Sequence, residues 1–408
     1  MLKLRRASVV EARGAQPDRL EGGLGKMDAG SGKMDGGPTK TDGRPAIDGD
    51  SEQKLVVELD GRRRPAIADV ALVGRSEVGD EVVVNVQARD LGLGSGGFDI
   101  VHVNLTRGLR GEGREGANVM KLNYTSLQHA VEPVEEERLR IPLEGPVAVL
   151  ALHGQLAAVA WAFARTAPDV RLGFVQTVGG ALPGGHSHTV RLLRERGLLA
   201  GHLTAGAAFG GEGEAITTAG ALHHGLRTLG WDAAVCGPGP GIVGSSSPLG
   251  HGGMSALDSA HAALALGCPT LLVARMSSSD PRARHRGISH HTLAVLDLLL
   301  EPVTVALPAG MRSPVGADLR AGLSAVFGGA MPSPPVRDRL GLEIEVERPA
   351  RITRHDWRRA VVDLPAYASS GLSAETMGRG LTEDPLFFGA ALAAGTALGE
   401  LVGESSAE

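Results

Sequence analysis

Thr270-Leu-Leu-Val-Ala-Arg-Met276 reads as a buried strand, and Asp280-Pro-Arg-Ala-Arg-His-Arg-Gly-Ile-Ser-His-His-Thr292 follows it closely. Three arginines and three histidines crowd those thirteen residues. Leu293, Leu296 and Leu300 then keep helical spacing. A strand, a loop rich in cations and imidazoles, and a helix start form the arrangement in which α/β proteins hold an anionic ligand.

The same alternation extends upstream. Val147-Ala-Val-Leu-Ala-Leu152 is a continuous apolar run, and Gln155 to Thr166 has Leu156, Val159, Ala160 and Phe163 on one helical face. Val170–Val175, Leu198–Thr204, Asp232–Cys236, Thr270–Met276 and Val303–Leu307 read as further strands. Between them lie helices marked by Ser187, Gly197, Gly230 and Ser255. Strands buried on both faces and alternating with helices predict a parallel sheet with helices on both faces, in a Rossmann-like architecture.

Short β-branched runs from Leu55 to about Leu143, including Leu55–Leu59, Ala66–Val73, Glu81–Val86 and Phe98–Val103, predict a small β-barrel-like domain. Residues 1–53 are poor in apolar side chains and nearly repeat Gly25-Lys-Met-Asp-Ala-Gly30 at Gly32-Lys-Met-Asp-Gly-Gly37, so a disordered tail is expected. The predicted divisions are a tail over 1–53, a β-rich domain over 54–144, an α/β ligand-binding domain over 145–330 and a C-terminal extension over 331–408. That extension carries an edge strand at Leu342–Glu347 and a small-residue helix from Phe387 to Leu398, suited to close packing or to a homo-oligomer seam.

Composition excludes several classes. The formal net charge of −5 gives no basic field for nucleic acid. No apolar stretch follows the basic N-terminus, and the run Leu386–Leu398 is too short and glycine-rich to span a bilayer, so a cytoplasmic protein without a membrane partner is expected. Only Cys236 and Cys268 occur, both beside buried strands, which predicts reduced thiols. All six lysines lie at or before Lys121, so the α/β region is expected to lack a Schiff-base or phosphate-loop lysine.

Ligands of parallel sheets bind beyond the strands' carboxyl ends. The loops there contain His153 and Gln155, Ser187, Thr204 with Gly210 and Gly211, Gly239 and Gly241 with Ser245 and Ser246, and finally Arg282, Arg284 and Arg286. Eleven of the fourteen histidines fall between His153 and His291, a clustering that scatter does not readily give. The arginines suit a carboxylate or phosphate clamp, because the guanidinium fork matches such anions. His285, His290, His291 and Glu214 are the acid/base candidates. Gly239-Pro-Gly-Ile-Val-Gly244 fits GxGxxG, but Ser245-Ser-Ser-Pro248 intervenes before any helix, so a backbone cradle is preferred to a dinucleotide fingerprint. No HExxH or CxxC spacing occurs, and no metal or particular cofactor is predicted.

The chain resembles a bacterial family known as domain of unknown function 3866. The likeness rests on Gly79-Asp80, Leu91-Gly-Leu-Gly94, Ala181-Leu-Pro183, Gly206, Ala208-Phe-Gly-Gly211, Glu214-Ala215, Gly237-Pro-Gly239, Asp280-Pro-Arg282, Arg284-His-Arg-Gly287, Ser289-His-His291 and Met377-Gly-Arg-Gly380. The family has no established activity, so the resemblance implies a fold and no reaction. An enzyme binding a small anionic metabolite is the expected function. The alternatives are a non-catalytic ligand sensor or assembly scaffold, and a loop that serves only as a hydrogen-bonded latch.

Overall fold

A computed structural model of the chain describes residues 2–13, 52–92, 97–110, 115–245, 247–311, 336–337, 343–344, 351–352 and 354–405. Two compact units are distinguished, Met1–Gly111 and Glu112–Glu408.

The first unit is a closed barrel of five strands: β1 (Leu4–Arg13), β2 (Glu52–Leu59), β3 (Arg62–Asp69), β4 (Glu81–Asn85) and β5 (Asp99–Asn104). Their order is β1-β2-β3-β5-β4, with β3 and β5 parallel. Alternate residues such as Val9, Leu55, Val57, Val82, Val84 and Val101 fill the interior. Strand β1 corrects the expectation of disorder across the whole of 1–53. Ala7 and Val9 point inward, and Leu4–Arg13 is held by β2 on one side and β4 on the other. Those partners are distant in sequence, so local composition gave no sign of them; residues 14–51 lie outside the described residues. The strand expected over Ala66–Val73 stops at Asp69, whose carboxylate caps the short helix α1 (Val70–Val73) by accepting from Ala71 and Leu72 N–H. A second one-turn helix, α2 (Gln87–Asp90), follows β4.

The second unit opens with a hairpin of β6 (Val119–Lys121) and β7 (His129–Val131). It is built on an eight-stranded parallel sheet. The strands in chain order are β8 (Val147–Leu150), β9 (Leu172–Thr177), β10 (Gly201–Ala205), β11 (Gly213–Ala215), β12 (Ala233–Pro238) and β13 (Thr270–Val273). After a two-residue pair, β14 (Met276–Ser277) with β15 (Gly287–Ile288), comes β16 (Thr304–Pro308). Strands β17 (Val336–Arg337) and β18 (Glu343–Ile344) pair with each other, and β19 (Asp356–Ala360) completes the sheet. The order is β11-β10-β9-β12-β8-β13-β16-β19. The edge strand therefore lies at 356–360. Of the stretch 342–347 expected to supply it, only β18 is described.

Burial alternates with period two. Val147, Val149, Val175, Cys236 and Leu272 face a core shared with α5 (Thr218–Arg227), α6 (Ser255–Ala265) and α7 (His290–Leu298). Ala148, Leu150, Phe174, Val235 and Val273 face the other, shared with α3 (Leu156–Thr166), α4 (His188–Glu195) and the C-terminal helix. Helix α6 lacks the side-chain cap expected from Ser255, which is its first helical residue. Trp231 fills a socket that only glycines permit: a Cβ on Gly173 would lie 1.9 Å from its ring, and one on Gly225 2.4 Å.

A short helix, α8 (Leu364–Ala368), precedes a hairpin of β20 (Glu375–Thr376) and β21 (Arg379–Gly380), and the chain ends in α9 (Pro385–Ser405). At 21 residues α9 is longer than its expected core. It meets the length and hydropathy of a membrane span, yet 78% of its apolar window is buried within the protein. A Cβ on Gly395 would lie 2.2 Å from Val159 O, which shows how closely α9 and α3 approach. The small-residue face is thus consumed by packing within the chain.

Candidate functional site

Neighbouring strands β8 and β13 lead into helices on opposite faces, α3 and α7, the topological arrangement at which open α/β sheets hold ligands. Gln155 bridges the two strand ends by donating from Nε2 to Ala274 O (3.1 Å), and its buried Oε1 has no partner among the described residues.

The glycine loops on this edge interlock. Added Cβ atoms would meet backbone at 2.3 Å for Gly179 (Gly252 O) and 2.3 Å for Gly239 (Ala181 O). Gly241 has φ 72°, in the left-handed region. Ser245 closes an exposed turn with Gly250 O, its N–H donating at 2.7 Å and its hydroxyl at 2.9 Å. These glycines therefore serve close packing and turning, and Ser246 lies outside the described residues.

His153 is buried, with Nδ1 3.1 Å from Pro238 O and Nε2 2.7 Å from Ser187 Oγ. The carbonyl can only accept, so Nδ1 carries the proton and Nε2 accepts from the serine. Ser187 also caps α4, accepting from Val190 N–H.

Glu214 stands elsewhere on the edge. Its Oε2 is 2.6 Å from Lys121 Nζ and accepts from Thr204 Oγ1 (2.8 Å), and its Oε1 accepts from Gly210 N–H (2.7 Å). Gly211 N–H donates to Thr204 Oγ1. Lys121 donates in addition to the carbonyls of Thr204 and Ala208. The expectation of a lysine-free α/β region is corrected here. The β6–β7 hairpin brings Lys121 to the strand ends from outside the alternating pattern, and it neutralises Glu214 in a closed network. Among the described residues Glu214 has no contact with His285, His290 or His291.

Those histidines do meet each other. His290 and His291 have ring centroids 4.0 Å apart, His285 and His290 4.9 Å, and His251 stacks on His291 at 3.8 Å. Ser289 caps α7, accepting from His291 N–H and bonding His285 Nδ1 (2.8 Å). Beside them lies Asp280, wholly buried. Its carboxylate takes two bonds of 2.9 Å from the Arg282 side chain, and Arg275 and Arg379 approach its Oδ2 at 3.5 and 3.4 Å. Arg286 Nε donates to Asp280 O, whereas the buried Nε of Arg284 has no partner among the described residues. Arg275 is the deepest of these cations, 3% exposed. Among the described residues its side-chain polar contacts are long: His291 Nδ1 and Asp280 Oδ2 at 3.5 Å and Met377 Sδ at 3.7 Å. A second buried carboxylate, Asp384, accepts from Ser277 and Ser278 hydroxyls and from Arg379.

Over residues 65–395 the chain matches the family model described as "Protein of unknown function (DUF3866)". The chain belongs to this family. No curated protein and no solved structure matches it. The matched span contains both Asp280–His291 and Met377–Gly380.

Burial, reinforced by the neighbouring arginines and imidazoles, holds His251, His285 and His291 in the neutral form. His251 is lowered to about 4, and His285 and His291 lie lower still. Desolvation is the largest cause for each. Burial alone would raise Asp280; the hydrogen bonds and charge of Arg282 outweigh it and keep the carboxyl well below its usual range. Arg275 is pushed down to about 10 by burial and by Arg282, against the pull of Asp280. Both cysteines are free and buried, and burial raises each thiol to about 12.

His153 and His202 are lowered by burial to about 4 and 3. They stay neutral in the fold but take up a proton near pH 6.5 once unfolded, so acid favours the unfolded chain. Stability is therefore full above pH 6.5 and declines below it, by about 1.4 kcal/mol per pH unit for each ring. Urea unfolding at pH 7 and pH 5 checks this, and an unchanged midpoint would contradict it.

Sequence reasoning missed Arg275, His251, Asp384 and Lys121. Arg275 had a signal, as a lone arginine closing an apolar strand. His251 and Asp384 had none, since their partners are remote in the chain. Among the described residues no group of His, Cys, Asp and Glu is arranged to hold a metal ion. A cavity of about 330 Å³ lined by Ala157, His188, Thr189, Leu192 and Gly371–Ser373 contains none of the clustered arginines.

Proposed function

We propose that the second unit binds a small anionic metabolite, phosphorylated or carboxylated, at the Arg275–Asp280–His291 cluster, in a Rossmann-like use of the strand carboxyl ends. Arg275 carries this reading. A buried cation is costly unless it is closely paired, and this guanidinium has no short hydrogen bond. Around it Arg282, Arg284 and Arg379 add positive charge against two buried carboxylates, Asp280 and Asp384, while His251, His285 and His291 are neutral. An anion would restore the balance, and neutral imidazoles can donate to it.

Binding without chemistry is the better-supported form, as in a sensor or scaffold. Glu214 is neutralised by Lys121 in a separate network, and His285 and His291 are too weakly basic to take a proton at neutral pH. Arg286 is held by the Asp280 carbonyl and Arg282 gives two N–H groups to the Asp280 carboxylate, so Arg275, Arg284 and the remaining Nη2–H of Arg282 are left for the ligand.

Thermal shift against phosphorylated and carboxylated metabolites tests the proposal. A ligand at a hundredfold excess over its Kd should stabilise the protein by about 2.7 kcal/mol. Arg284→Ala and His291→Ala should each weaken that response. Stabilisation identical in both variants would remove the site from this cluster.

A further inference from the structure

We propose that the anion is a phosphoryl dianion and that it enters by displacing the side chain of Met377; the inference rests on the anion-binding reading above. The Met377 sulfur lies 3.7 Å from Arg275 Nη2 and 3.7 Å from Arg282 Nη2. Two guanidiniums thus direct N–H groups at a thioether, which is a weak acceptor. The acceptor these forks match is an oxyanion, bound at shorter distance and often by paired hydrogen bonds. Met377 therefore occupies the position of a ligand oxygen.

The residue is built to leave. It is 49% exposed, so moving its side chain into water uncovers little apolar surface. Its φ of 49° puts a non-glycine residue in the left-handed region, followed by Gly378 at φ 71° with open space around it. Together they form the two-residue turn between β20 and β21. The base of that hairpin is fixed: Arg379 reaches Asp280 and Asp384, Gly380 N–H donates to Glu383, and Leu381 N–H donates to Ala374 O. Only the tip is free to swing.

Charge selects the class of anion. Four guanidiniums, Arg275, Arg282, Arg284 and Arg379, exceed the two buried carboxylates by two charges, and His251, His285 and His291 contribute none. A monocarboxylate would leave half of that excess in place, whereas a phosphoryl dianion cancels it. Either a phosphate ester or free phosphate could supply the group.

Calorimetric titration of the full chain with inorganic phosphate, glycerol 3-phosphate and acetate tests this, for the wild type and Met377→Ala. Removing the plug should tighten phosphate binding at least about threefold, because the competent state no longer has to be opened. In protein labelled at methionine methyls, the signal lost in Met377→Ala should shift when phosphate is added to the wild type. That second readout does not depend on the variant's folding. Glycerol 3-phosphate binding at least as tightly as phosphate identifies esters as the source; phosphate binding alone identifies the free anion.

Equal phosphate affinities with an unmoved methyl signal would overturn displacement and leave the anion site standing. Binding of acetate but not phosphate would overturn the phosphoryl assignment alone. If no anion binds, in this titration or in the thermal-shift panel, both readings fall.

Discussion

Arg275→Met is expected to weaken anion binding by about thirtyfold or more while leaving the ligand-free protein as stable as the wild type, or more so. The two effects have one cause. In the bound state the guanidinium would form a buried, charge-assisted pair, and truncating one member of such a pair costs about 2–5 kcal/mol. In the free state the same cation is buried with no side-chain polar contact shorter than 3.5 Å among the described residues, so replacing it with an apolar chain of similar length removes an uncompensated desolvation cost. Asp280 would keep its bidentate bond from Arg282 and its contact with Arg379. Calorimetry with phosphate and a thermal melt measure both quantities on one preparation. A lower melting temperature with unchanged affinity would make Arg275 a structural residue and end its assignment to the site.

Lys121→Met should have the largest effect on stability. Lys121 and Glu214 form a buried pair at 2.6 Å, with side chains 3% and 10% exposed. Removing the ammonium strands a carboxylate in the interior, which destabilises by about 3 kcal/mol. The hydrogen bonds from Thr204 and Gly210 remain but do not neutralise the charge. Adding Glu214→Gln should recover at least half of the loss, since the amide oxygen can still accept from Gly210 N–H while the amide nitrogen donates to Thr204 Oγ1. Urea unfolding of the wild type, the single variant and the double variant measures it. A single-variant loss below about 0.5 kcal/mol, typical of an exposed pair, would show that water reaches this site.

Two polar networks share this edge of the sheet, and they differ in how well their charges are satisfied. Lys121 and Glu214 saturate one another with short bonds, whereas Arg275 and Arg284 remain incompletely paired. Gln155 Oε1, Arg284 Nε and His291 Nε2 are buried without a partner among the described residues, as are atoms elsewhere such as His202 Nε2 and Glu135 Oε2. Buried polar groups are almost always bonded in native proteins, so the orphaned atoms beside Arg275 are compatible with a polar ligand there.

What the sequence by itself determined was the parallel sheet, the helix cap at Ser187, and the loop that gathers Asp280 through His291. Period-two burial and capping are local properties, written within a few residues of where they act. What only the tertiary structure decided were pairings across distance: β1 closing the barrel, Lys121 neutralising Glu214, His251 stacking on His291, and Met377 lying against Arg275 and Arg282. Each joins segments whose own composition is indifferent to the partner, because burial and charge compensation depend on what the fold places opposite a side chain, not on its neighbours along the chain.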